Sequence, residues 1–244
     1  NKYVGFFGTP CQCVAIDSFL KQKRVDTNKL LMVDLICHGV MSPKIWNDYL
    51  NFVKEKYEIG EIKKINFRDK KYGSGYNMSI IGTKSIYHKA DTTDPFIKLF
   101  TRNLGIRISC FNCPMKRMDR ESDITIGDFQ KSEMYFPEFA DGKGNSAVLL
   151  NSEKGMDVFE KCAFDLYYKE ASIEQADQIN LRKGVPYPKV GNKFYRDYSR
   201  LSFEDLLKKY TEYGTKLRIY AEMRRTASRT VKPILNKLKG SNKG

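Results

Sequence analysis

The sequence predicts an α/β protein: a mixed, partly parallel sheet with flanking helices and a helical C-terminal extension. Three observations lead there. Two strand–loop–helix units open the chain, which implies parallel strands covered by helices. Short strand-like runs separated by turn residues fill the middle. Beyond residue 188 the pattern turns helical, and its last stretch is strongly basic.

Taken in order, residues 3–7 are apolar β-formers, and Gly8-Thr9-Pro10 breaks the run. Val14, Ala15, Phe19 and Leu20 then recur at helical spacing. Residues 30–36 form a second, nearly continuous apolar strand that Cys37-His38-Gly39 ends. Ser42-Pro43 reads as an N-cap followed by proline at the first helical position, and Trp46, Tyr49, Leu50 and Val53 carry that helix on. Residues 62–67, 76–81 and 85–88 read as short strands, with turns at 71–75 and at Gly82-Thr83. Residues 96–104 are helical, 124–129 and 147–151 are strands, and 153–164 form an amphipathic helix. The extension contains a helix at 201–213 and a basic helix at about 216–239, which Pro233 kinks or ends. This divides the chain into a domain at 1–190 and a helical basic extension at 191–244. There is no internal repeat.

Composition narrows the function classes. At 244 residues, 41% of them hydrophobic, the chain is long and apolar enough to bury a core, which excludes a wholly disordered protein. No apolar run approaches the roughly 20 residues of a membrane span. The chain lacks an initiator Met and opens almost directly on a strand, so its N-terminus reads as a truncation. Its net charge is +14, and nine basic residues but only Glu222 as an acid lie between residues 216 and 244. Such a tail suits an anionic membrane surface or an acidic partner. It has few interleaved aromatics beyond Tyr220, which disfavours nucleic acid. Six cysteines without an export signal point to metal or redox use in a reducing, cytoplasmic compartment, with peripheral membrane attachment through the tail.

The placement of the cysteines says more than their number. Cys11 follows the loop after the first strand and Cys37 follows the second. Successive parallel strands end on one sheet edge, so two cysteines distant in sequence are delivered together. Cys11 also opens a helix, where the dipole and free N–H groups favour a thiolate. Cys110-Phe111-Asn112-Cys113-Pro114 is a CxxC motif followed by proline. Two single cysteines and one pair make the four sulfurs a 4Fe-4S cluster takes. A structural zinc site also takes four, more often as two local pairs, and unrelated buried thiols are the third reading. Cys162, on a helix's apolar face, and Cys13 read as small buried hydrophobes.

Five motifs in sequence order then carry a resemblance: Gly8-Thr9-Pro10-Cys11-Gln12, Asp34-Leu35-Ile36-Cys37-His38-Gly39-Val40, Asn66-Phe67-Arg68-Asp69-Lys70, Ser109-Cys110-Phe111-Asn112-Cys113 and Ser122-Asp123-Ile124-Thr125-Ile126-Gly127-Asp128-Phe129. Together they resemble the C-terminal domain of the coenzyme F-420 hydrogenase/dehydrogenase beta subunit family over about residues 3–190. The stretch 144–155 fits the same pattern. The resemblance implies an electron-transfer flavoprotein carrying FAD and at least one 4Fe-4S cluster, passing electrons between a hydride carrier, deazaflavin-type or other, and iron–sulfur partners. Two departures stand out. The family pattern usually continues Gly-Asp-Phe-Trp-Gly, whereas Gln130-Lys131 follow Phe129 here. Related chains often carry an upstream ferredoxin-like cysteine set, which this sequence lacks.

On this reading Cys11, Cys37, Cys110 and Cys113 are the cluster ligands. Thr9 opens a helix and so offers an anion site, while Arg68, Lys70 and Arg107 suit FAD phosphates or an acidic substrate. For the three cations a solvated loop charge is the competing reading. His38 is a candidate donor to a cluster sulfur, with loop packing as its rival. Trp46 and His88 read as ordinary core and strand residues. A redox partner protein or iron–sulfur domain is the expected partner. The opposing function is a non-redox zinc-binding module whose basic tail meets an acidic partner or nucleic acid.

Overall fold

The protein is described by a computed structural model covering residues 2–214 apart from 73–74, 140–141 and 143. The expected basic helix at 216–239 lies outside the described residues. In chain order the elements are β1 (Val4–Gly8), α1 (Pro10–Gln22), β2 (Leu30–Leu35), α2 (Pro43–Lys56), β3 (Ile62–Asn66), β4 (Asn77–Gly82), β5 (Ile86–Ala90) and α3 (Pro95–Thr101). There follow β6 (Ile124–Asp128), α4 (Ser132–Tyr135), β7 (Ser146–Leu150), α5 (Glu153–Cys162), α6 (Ile173–Ala176), α7 (Ile179–Arg182), α8 (Gly191–Tyr198) and α9 (Phe203–Thr211). The α/β class with mixed sheets and flanking helices is as the sequence predicts.

The chain forms two compact units. Among the described residues, the first combines those up to Val40 with Ile106–Tyr187, and the second combines Met41–Gly105 with those from Pro188 to Gly214.

In the first unit a four-stranded sheet runs in the order β1-β2-β6-β7. β1 pairs parallel with β2, placing Gly8 opposite Asp34, and β2 pairs parallel with β6, placing Leu35 opposite Ile126. β7 closes the sheet antiparallel to β6. Parallel β1 and β2 deliver the loops after Gly8 and Leu35 to one edge. Asp123 anchors the entry to β6, accepting from the Met32 N–H at 2.8 Å and from the Ser152 hydroxyl at 2.7 Å. The sheet is less fully covered than two strand–loop–helix units imply. Pairing register puts Phe7, Leu35, Val148 and Leu150 on one face, and they remain 38–69% exposed.

In the second unit β3, β4 and β5 form a separate antiparallel sheet. Its core gathers Ile45, Tyr49 and Val53 of α2, Met78 and Ile80 of β4, Leu99 of α3, Phe194 of α8 and Leu206 and Leu207 of α9. Trp46 packs on this core, 4.8 Å from Phe96 ring to ring, as a core residue should. His88 lies in β5 with its ring stacked on Tyr72. Among the described residues no helix is long and apolar enough to cross a membrane.

Candidate functional site

The first unit assembles its cysteines at the edge where β1 and β2 end. After β1, Thr9 caps α1 and Pro10 occupies a first-turn position that needs no N–H. The Thr9 N–H donates to Gln12 Oε1 at 2.8 Å, and Thr9 Oγ1 lies 3.1 Å from Cys11 Sγ. This holds the exposed Cys11 in the first turn of a 13-residue helix.

After β2, the Ile36 N–H donates to the Ile126 carbonyl at 2.8 Å and sets the exit of the chain toward Cys37. Burial pushes the Cys37 thiol up, and Lys116 pulls it back down. Cys110, Cys11 and Cys113 each add a raising influence on Cys37, so each of the three lies within reach of the Cys37 sulfur. The loop continues through Gly39, where a Cβ would stand 2.9 Å from Ile106 Cγ2 and 3.6 Å from Cys110 Cβ. A side chain at Gly39 would press on Ile106, just ahead of the CxxC segment, which the bare glycine avoids.

The CxxC segment is fixed from several sides. The Arg107 N–H donates to the Val40 carbonyl and the Cys110 N–H to the Arg107 carbonyl, both at 2.9 Å. A 3-10 turn at Ile108–Cys110 then presents Cys110 and Cys113, both half-buried. Gly184 lies against the far side: a Cβ there would stand 2.5 Å from the Phe111 carbonyl oxygen. Three separated stretches of chain thus bring Cys11, Cys37, Cys110 and Cys113 together.

Two buried cations accompany them, and sequence reasoning missed both. Lys116 is 7% exposed, its ammonium donates to the His38 carbonyl at 2.9 Å, and its backbone N–H meets the Cys113 carbonyl at 3.4 Å. Burial lowers its pKa, while Cys37, Cys113 and Cys110 push it upward. Arg120 pairs with Asp34 at 3.1 Å, both side chains at most 3% exposed. Arg120 Nε and Nη2 and Asp34 Oδ1 have no further partner. Only the fold distinguishes these two from the other basic residues of a lysine-rich chain.

The remaining cysteines divide. Cys13 is buried as expected, its Sγ 3.8 Å from the Val33 carbonyl, and burial followed by Asp34 lifts its thiol to about 11. Cys162 is a correction: it is exposed at the last position of α5 and no buried hydrophobe, on a helix of which only Gly155 is buried.

Among the residues expected to hold anionic groups, Thr9 and Arg107 belong to the first unit and Arg68 and Lys70 to the second. Arg107 is exposed beside the CxxC turn. The Arg68 guanidinium lies over the Tyr76 ring at 4.5 Å, and Lys70 opens a 3-10 turn at Lys70–Tyr72. The second unit also has an open cleft of about 440 Å³ lined by Arg102, Leu104, Val190, Lys193, Lys209 and Tyr210. Two of its cations are already engaged, Arg102 by the Tyr210 carbonyl and Glu212 and Lys209 by Asp197, so the cysteine edge is the stronger candidate.

The sulfur arrangement bears on what it can hold. Among the described residues no three His, Cys, Asp or Glu side chains stand close enough around one point for a single metal ion. A tetrahedral zinc with bonds of about 2.3 Å would need its sulfurs on the order of 3.8 Å apart. A cubane cluster carries each thiolate on a separate iron and so spaces them more widely. By residue type alone, four cysteines with a buried ammonium nearby are a donor set that suits a 4Fe-4S cluster.

Comparison with solved structures finds a chain of the F420-reducing [NiFe] hydrogenase complex from Methanosarcina barkeri, at 15% identity and a TM-score of 0.40. The match covers 88% of this chain and 60% of that one. No curated protein sequence matches. Residues 1–176 match the family model for the C terminus of the coenzyme F420 hydrogenase/dehydrogenase beta subunit, and over that length the chain belongs to this redox family.

Proposed function

We propose that this chain is an iron–sulfur flavoprotein module that passes electrons between a hydride carrier and iron–sulfur partners. The observation that supports this reading is that Cys11, Cys110 and Cys113, from two other stretches of chain, all act on the Cys37 thiol in a chain of this family. When bound, a flavin takes up a hydride and passes its electrons singly to a 4Fe-4S cluster.

The chain's own residues would do the rest. The four cysteines would supply the sulfur ligands, Cys11 from the first turn of α1. The Thr9 hydroxyl contacts Cys11 Sγ and restrains it. Pro114 follows Cys113 and covers the turn without adding a backbone donor. Thr9 and Arg107 of the first unit and, separately, Arg68 and Lys70 of the second are the candidates for anionic parts of FAD or of an acidic substrate. The expected partner is a redox protein or an iron–sulfur domain, since one-electron transfer needs an acceptor outside this chain. Attachment of the basic tail to an anionic membrane surface rests on its sequence alone.

The test is purification without oxygen, followed by assay of iron, acid-labile sulfide, zinc and flavin. Brown protein with iron and sulfide in equal amounts is the expected result. Colourless protein with stoichiometric zinc would replace this reading with a non-redox zinc module. Iron and sulfide without flavin, in a version extended at the N-terminus, would remove the FAD assignment and leave the cluster.

A further inference from the structure

A buried ammonium needs a negative partner, because taking a charge out of water costs far more than one neutral hydrogen bond returns. Lys116 is buried, and among the described residues no carboxylate pairs with it. Its one hydrogen bond goes to a neutral carbonyl, that of His38. The neighbouring Arg120 differs, since Asp34 already balances its charge. Lys116 also braces the site. Its backbone is tied to the Cys113 carbonyl and its ammonium to the residue after Cys37, so it spans the two loops that supply three of the four sulfurs. Protonated thiols would leave this cation uncompensated, whereas thiolates bound to a cluster would compensate it.

We propose that Lys116 is the counter-ion of the four-cysteine site, a positioning residue that balances the negative charge of a bound cluster and sets how readily that cluster is reduced. The inference rests on the iron–sulfur reading above. In the step concerned, the oxidised cluster gains one electron from an external reductant, its net charge falls by one, and the ammonium keeps its proton. A fixed positive charge nearby favours the more negative, reduced form, and net charge is one of the levers that set cluster potentials.

The test uses the full chain, purified without oxygen and titrated with dithionite in the presence of mediators, with reduction followed by electron paramagnetic resonance. Lys116→Gln keeps a donor for the His38 carbonyl but removes the charge. Lys116→Arg keeps the charge. With iron and sulfide content equal to wild type, Lys116→Gln should lower the equilibrium constant for reduction at least tenfold, about 59 mV for one electron. Lys116→Arg should stay close to wild type. If Lys116→Gln loses its iron while Lys116→Arg keeps it, the charge is needed for assembly and the proposal also stands. A fully loaded Lys116→Gln variant with the wild-type potential overturns it, as does loss of iron from both variants. Wild-type protein without iron or sulfide overturns the iron–sulfur reading itself and this inference with it, an outcome distinct from a loaded wild type with an indifferent Lys116→Gln.

Discussion

Cys37 stands half-buried at the end of β2, and its thiol responds to the three other cysteines of the group. Removing its sulfur, or that of Cys110 on the opposing loop, should abolish the broad visible absorption and the bound iron. Cys162→Ser should leave both intact, since that thiol is exposed at the end of α5 and belongs to no such group. Iron analysis and visible spectra of Cys37→Ser, Cys110→Ser and Cys162→Ser decide this, and a cluster that survives Cys37→Ser but not Cys162→Ser would reverse the assignment. The four cysteines stand out in the sequence as candidates because residue type, CxxC spacing and position after a strand are one-dimensional signals. Lys116, Gly39 and Gly184 do not. Their roles arise from the approach of chain segments distant in sequence, about which a lone lysine or glycine carries no local mark. Cys162 was misjudged for a related reason: helical periodicity assigns a face, but says little about the last residue of a helix.

At the scale of elements, α3 shows how one side chain can start a helix and tie it to its neighbours. Asp94 precedes Pro95, caps α3 by accepting from the Ile97 N–H at 2.8 Å, and accepts from the hydroxyls of Tyr49 at 2.6 Å and Tyr87 at 2.8 Å. Asp94 is fully buried, and burial followed by the Asp94 charge holds both phenols protonated well above the usual tyrosine range. Asp94→Ala should cost about 1 kcal/mol for the cap. It should cost roughly 1–3 kcal/mol more for each buried hydroxyl left unpaired. Asp94→Asn should lose clearly less, because an acceptor remains. Denaturant titration of both variants measures the difference, and equal losses would show that the acceptor is immaterial. The sequence pattern placed this helix at 96–104, whereas it occupies Pro95–Thr101 and ends before Arg102 and the left-handed Asn103. Apolar spacing continued through Leu104, but the backbone turned to bring Leu104 into the core. The middle strands were legible as strands. Their separation into a second sheet was not, since alternation reports pairing and not which partners pair.

The C-terminal end of α9 offers an element-scale test in acid. Glu212 adopts a left-handed conformation there and bonds to Arg102 at 2.9 Å and Lys98 at 3.0 Å. Those cations, Arg102 foremost, hold its carboxyl down at about 2. A depressed carboxyl pKa stabilises the fold above the unfolded value near 4.5, and that contribution disappears as pH falls from there toward about 2. Glu212→Gln should therefore lower the melting temperature at neutral pH and make the loss of stability between those two pH values shallower. Because the carboxyl is 59% exposed, salt should weaken the effect. Identical acid profiles for the variant and the wild type would mean the ion pairs contribute nothing measurable.

At the scale of the whole molecule, charge is the property left over once fold and site are described. Most ion pairs of the described residues have solvent-exposed partners, and surface pairs of this kind contribute little to stability. The net charge of +14 therefore bears on what the protein meets more than on how it folds. Nine basic residues and one acid follow residue 215, interleaved with Leu217, Tyr220, Met223, Val231, Leu235 and Leu238. Such a pattern suits a basic amphipathic helix at an anionic surface, where each cation contributes about 1 kcal/mol. Truncation after Tyr213 keeps the ring contact of Tyr213 with Phe52 at 5.3 Å and its hydroxyl contact with Tyr57 at 3.2 Å, so the second unit's core stays intact. The truncated protein should lose co-sedimentation with anionic liposomes at low salt. Its behaviour toward neutral liposomes and its iron content should not change. Raising the salt should release the intact protein, because the attraction of the tail is screened within a Debye length of about 8 Å at physiological ionic strength. Intact protein that ignores anionic liposomes at low salt would exclude surface attachment. Binding that survives the truncation would move the basic surface from the tail to the body of the protein.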